Sequence, residues 1–171
     1  MSPRAVLRRP GPSDLDALAD NVAEGFDSYR AFAGAGWEPP PREGMRAELD
    51  ELLPRGYFWC LLAEVDGRTA GHVAIMPATE SRWATAEPDV AHLFHIFVRP
   101  PFQGSGLAAE LLCMAVEEMR ARGYAAARLF TPAGQARARR FYEREGWSAA
   151  GGPSFATGLG LELVEYRRDV A

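Results

Sequence analysis

The stretch with the most chemistry in it is Val98-Arg99-Pro100-Pro101-Phe102-Gln103-Gly104-Ser105-Gly106-Leu107-Ala108. An apolar run feeds a glycine turn, and the turn opens a helical pattern. Without a Cβ, Gly104 and Gly106 let their amides approach a ligand closely. The helix N-terminus adds free N–H groups and roughly half a positive charge. Such a turn suits a phosphate or pyrophosphate. Acid–base chemistry has its own candidates. His92 and His95 lie on the run Ala91 to Val98 just before the turn, and a free imidazole titrates near about 6.5. Strand alternation puts the two on opposite faces unless a bulge shifts one. His72, in an otherwise apolar run, reads as structural.

Two ligand types compete for the turn. Gly104-x-Gly106-x-x-Ala109 matches the dinucleotide fingerprint, which also asks for an acid at the end of the following strand. That strand reads Ala125-Ala126-Ala127-Arg128-Leu129-Phe130-Thr131 and has none. The turn also comes late, after a hairpin pattern. Both points speak against a nicotinamide or flavin.

Composition removes other chemistries. The 171 residues include 19 basic ones, all arginine, against 23 acids, for a net charge of −4. The missing lysine excludes a P-loop, a kinase ATP site and a Schiff base. Net acidity speaks against a nucleic-acid partner. Three histidines without paired spacing give no zinc signature. Cys60 and Cys113 sit in apolar runs and read as buried, inert thiols. No apolar run approaches the roughly 18 residues of a membrane span. Met1 to Pro12 also lacks an apolar leader. The expected location is therefore the cytoplasm.

The elements that must position these residues are legible in outline. Ala5 to Arg9 reads as a strand. Ser13 reads as the N-cap of a helix carrying Leu15, Leu18, Ala19, Val22 and Phe26. Met45, Leu49, Leu52 and Leu53 mark a second helix. Tyr57 to Val65 and Thr69 to Met76 flank Asp66-Gly67 as a hairpin. The Ala91 to Val98 strand, a helix from Leu107 to Arg122, a strand from Ala125 to Thr131 and a helix from Gln135 to Glu145 follow. Two last strands, Trp147 to Ala150 and Leu161 to Arg167, are joined by a Gly/Pro loop. The expected fold is α/β: one domain, residues 1–171, with a mixed antiparallel and parallel sheet between helices on both faces.

Gln103-x-x-Gly106-x-Ala108 resembles the Q/R-x-x-G-x-G/A acetyl-CoA motif of the GNAT superfamily of N-acetyltransferases. Val98-x-Pro100 and Ala138-x-x-Phe141-Tyr142-x-x-x-Gly146-Trp147 fit that family too, and the likeness covers about Tyr57 to Trp147. Three positions depart from the commoner pattern. Ala108 stands for glycine, Gln135 for asparagine, and Ser105 for a basic residue, so phosphate binding leans on backbone amides. Arg137, Arg139 or Arg140 is expected to supply some of the missing charge.

The resemblance implies an acetyl-CoA-dependent N-acetyltransferase that works by direct amine attack through a tetrahedral intermediate. Its strand from Ala91 to Val98 would bulge and splay, and open backbone groups around Phe97 and Val98 would pair with the pantetheine arm. Gln103, Gly104, Ser105, Gly106, Leu107 and Ala108 would hold the pyrophosphate, with Gln135 and Ala138 beside the arm. Tyr142 matches the tyrosine that serves many relatives as acid toward the sulfur. His92, His95, Glu64, Glu80 or a water chain would take the amine proton. Trp37, Tyr29, Phe32 and Trp83 are candidates for the acceptor pocket. The expected acceptor is a small-molecule amine. A peptide acetyltransferase, a CoA-binding regulatory module and a homodimer stay open. Residues 1–98 carry 9 arginines against 15 acids, which weakly favours a cationic acceptor.

Overall fold

The computed structural model describes residues 4–171; Met1, Ser2 and Pro3 of the N-terminal stretch lie outside them. The chain runs β1 (Val6–Arg8), α1 (Leu15–Asp27), α2 (Arg42–Leu52), β2 (Trp59–Val65), β3 (Arg68–Pro77), β4 (Val90–Val98), α3 (Leu107–Ala121) and β5 (Ala126–Pro132). It ends with α4 (Ala136–Arg144), β6 (Ser148–Ala149), β7 (Ser154–Ala156) and β8 (Leu161–Asp169). Among the described residues the strands form one mixed sheet in the order β1-β2-β3-β4-β5-β8-β6, with β7 beside β8. Every pairing is antiparallel except β4 with β5.

The helices cover both faces. The stripe Leu111, Leu112, Ala115, Val116 and Met119 of α3 packs on Leu61, Val73, Ile75 and Leu129. On the opposite face, Leu18 and Val22 of α1 and Leu49 of α2 pack on Leu62, Ala74 and Met76. The alternating strand residues thus feed two cores, as a sheet covered on both sides requires.

Several local expectations change. Asp14, not Ser13, precedes α1, and the turn before it is closed by the Gly11 amide donating to Asp14 Oδ2 at 2.7 Å. Cys60 is buried but Cys113 is exposed. The apolar run around Cys113 is helical, and its residue falls on the outward side with Glu110 and Glu117. Part of the expected Gly/Pro loop is the strand β7.

A close approach fixes α1 against the sheet. A Cβ on Gly25 would lie 2.2 Å from the Phe97 ring. Gly25→Ala should therefore cost about 1–3 kcal/mol of stability by overpacking, seen as a lower urea midpoint at an unchanged m-value.

Candidate active site

β4 and β5 pair at Val90–Ala126, Ala91–Ala127 and His92–Arg128 and then part. Beyond His92 the two strands splay, which opens a cleft through the sheet toward the glycine turn. A cavity of about 830 Å³ fills it and reaches both faces. Which β4 groups face the cleft follows from strand alternation. The Arg99 amide donates to Ala70 O on β3 at 2.8 Å, so Phe97 also turns its backbone to β3. Ile96 and Val98 turn theirs to the cleft. The Phe97 carbonyl, expected to be open, instead accepts from Asn21 Nδ2 at 3.2 Å. The Val98 carbonyl accepts from Gln103 Nε2 at 3.0 Å. Ile96 is the cleft-facing residue that sequence reasoning missed.

At the turn, Gly104 and Gly106 have φ of +79° and +89°, and a Cβ on either would meet no atom within 4 Å. Gln103, Gly104, Gly106 and Ala108 line the cavity, as do Gln135 and Ala138 across it. Ser105 does not: its hydroxyl donates to Phe102 O at 2.6 Å. Leu107 turns its side chain into the core. Of the three candidate arginines, Arg137 reaches the turn by donating to Gln103 Oε1 at 3.0 Å. Arg139 is directed away, to Tyr166 Oη and Ala133 O.

His92 and His95 share one face, against the alternation expectation. Ala74 pairs with His95 and Ile75 with Leu93, so Phe94 is an extra residue on β4. This bulge restores both imidazoles to the α1/α2 side, where they line the cavity. His72 lies beside them, its ring 5.5 Å from that of His95. Asn21 sends its two amide hydrogens to Phe97 O and to His72 Nδ1, the latter at 2.6 Å. His72 therefore carries its own hydrogen on Nε2. Burial holds all three rings neutral: His72 falls to about 4, and His92 to about 3 with help from the Arg128 charge. His95 is pushed well down by burial and by the facing His72, His92 and Arg82.

Tyr142 enters from α4 on the other face and lines the cavity. It is 7% exposed and packs beside Trp147 and Tyr166. Burial, and then the neighbouring Tyr29, raises its hydroxyl above the ordinary phenol range. Glu64 and Glu80 are not among the lining residues, and Glu64 is held by Arg8 at 2.8 Å. Tyr29, Phe32 and Trp83 line the cavity, but Trp37 does not. Its indole N–H donates to Leu159 O instead, at 2.9 Å.

Residues 23–147 match the sequence profile described as the acetyltransferase (GNAT) family. The chain belongs to that family. An uncharacterized N-acetyltransferase of Archaeoglobus fulgidus is 30% identical over 138 residues, covering 80% of this chain and 88% of that one. The crystal structure of a GNAT-family acetyltransferase from Desulfovibrio desulfuricans superposes with a TM-score of 0.76 at 25% identity, covering 98% and 100%. That of the PaiA N-acetyltransferase from Thermoplasma acidophilum, in complex with coenzyme A, gives 0.72 at 16% identity over 97% and 99%.

This GNAT protein is thus an acetyl-transferring enzyme. Among its described residues no helix is long and apolar enough to cross a membrane. Two polar residues at the site, Asn21 lining the cavity and Arg128 behind it, had a trace in the sequence. Asn21 interrupts the apolar face Leu18, Ala19 and Val22, and Arg128 interrupts an apolar strand. Both are buried.

Proposed function

We propose that this enzyme moves the acetyl group of acetyl-CoA to the primary amine of a small molecule. The observation that carries the reading is the splay of β4 from β5, whose open edge leads to the glycine turn. The turn fits an anionic cofactor: its two left-handed glycines leave room for a ligand, and α3 begins directly behind them. The cofactor supplies an activated acetyl thioester.

The backbone groups of Ile96 and Val98 extend the sheet to its pantetheine arm. The amides of Gly104, Ser105, Gly106, Leu107 and Ala108 hold the pyrophosphate, with Gln103 and Arg137 at the rim. Gln135 and Ala138 line the opposite wall. A cleft-facing N–H of β4 polarises the acetyl carbonyl, a contribution of about 3 kcal/mol for a preorganised donor. The lone pair of His92 or His95 accepts a hydrogen bond from the amine and orients it, and a water chain takes the proton, because burial opposes a charged imidazole there. The Tyr142 hydroxyl protonates the departing sulfur.

The test is thiol release from acetyl-CoA across a panel of primary amines, with calorimetry for acetyl-CoA alone. Turnover of an amine with 1:1 acetyl-CoA binding is expected; absence of acetyl-CoA binding overturns the reading. Gly106→Val adds a check on the turn. A β-branched residue at φ +89° is strained by about 1–3 kcal/mol, and the added bulk faces the ligand. Acetyl-CoA affinity should fall at least about tenfold, read by calorimetry.

A further inference from the structure

The acceptor side of the cavity is walled by rings in mutual contact. Trp83, His92 and Phe130 form one group, with centroids between 5.1 and 6.4 Å apart. Phe94 stacks on His95 at 3.9 Å, and Phe26 meets His95 edge-on at 6.3 Å. The Trp83 wall is held from behind. Arg128, 2% exposed, donates through Nη2 to Ser81 Oγ at 2.7 Å and to the Trp83 carbonyl. Its guanidinium also lies over the Phe130 ring at 5.2 Å.

The charged side chains that line this wall are paired, and Arg128, which makes no ion pair among the described residues, lies buried behind it. Glu48 pairs with Arg82 at 3.5 Å, and Glu24 with Arg99 at 3.0 Å. The acidic surplus of the N-terminal half points elsewhere: Asp16, Asp20 and Glu43 are held by Arg42. The imidazoles on the wall offer lone pairs and no charge. A second ammonium on a substrate would lose water and find no free carboxylate. A substrate carboxylate would have to break the Arg82–Glu48 pair. A flat apolar body meets ring faces and edges throughout.

We infer that the acceptor is an arylalkylamine, a primary amine on one aromatic body with no second charged group. This rests on the N-acetyltransferase reading above. The experiment compares thiol release from acetyl-CoA with 2-phenylethylamine and tryptamine against putrescine, spermidine and phenylalanine. The two arylalkylamines should exceed the others at least about tenfold in kcat/KM. Trp83→Ala should raise KM for 2-phenylethylamine about tenfold with kcat within about twofold, and Trp83→Phe should restore most of it. The loop should survive, because Arg128 holds the carbonyl of residue 83 and not its side chain.

Equal or faster turnover of the diamines or of phenylalanine overturns the arylalkylamine assignment and leaves acetyl transfer standing. So does acetyl-CoA binding without turnover of either arylalkylamine. A Trp83→Ala loss that falls equally on all amines, through kcat, marks a structural role and overturns it too. Failure to bind acetyl-CoA at all removes the underlying reading, a result that calorimetry separates from the rest.

Discussion

Tyr142→Phe is expected to lower turnover at least about a hundredfold while acetyl-CoA affinity stays within about twofold. The ring is buried among Phe141, Trp147 and Tyr166, and phenylalanine keeps those contacts, so the fold should hold. A phenolate there would go unsolvated and would also face Tyr29, so the hydroxyl keeps its proton near neutral pH. A group in that state can donate to a developing thiolate and cannot act as a base. Thiol release, calorimetry and a urea melt on the same variant separate the three effects. Tyr29 provides the control, since it also lines the cavity and burial raises its hydroxyl too. If Tyr29→Phe carries the loss and Tyr142→Phe does not, the acid is Tyr29.

The parts of this site are written unequally clearly in the sequence. The glycine turn is legible because Gly104 and Gly106 must take a left-handed backbone, and few other residues do so. The hairpin is legible for the same reason: Asp66 and Gly67 both have positive φ. The inward stripe of α3 follows from its period. The position of the histidines does not. It depends on Phe94 being one residue too many opposite β3, and a bulge is a property of two strands in register. No single strand's pattern contains it. The same limit explains Phe97, whose carbonyl is taken by a side chain from α1. It explains the acidic surplus as well. Charge counts along the chain say how many carboxylates there are, but not that arginines nearby in space neutralise them on the outer surface. Arg128 shows the reverse case. An arginine in an apolar strand reads as an edge or solvent residue, and here it is buried because three oxygens around the residue 78–83 turn accept from one nitrogen.

The buried histidines also predict a steep acid instability, with its own pH window. His72 is about 4 in the fold and His92 about 3, below the usual imidazole range. The unfolded chain therefore takes up these protons first as the pH drops. Stability is complete above about pH 6.5, falls as the pH falls, and stops falling once each folded group also protonates. By pH 4 each of these two rings should have cost roughly 3 kcal/mol, and His95 acts in the same direction. The combined loss is comparable to the whole stability of a typical domain, about 5–15 kcal/mol. The ion pairs of Asp14 with Arg8 and of Glu87 with Arg167 weaken later. Those partners hold both carboxyls down to about 2, so that loss begins only below about pH 4. Urea unfolding between pH 7 and pH 4.5 should thus show a slope approaching three protons, each worth up to about 1.4 kcal/mol per pH unit. His72→Phe removes one of these groups and leaves the Asn21 bond to Phe97 O in place. It should lower the midpoint at pH 7 and reduce the slope by about one proton. A wild-type slope below one proton would mean that the three rings are not held neutral by burial.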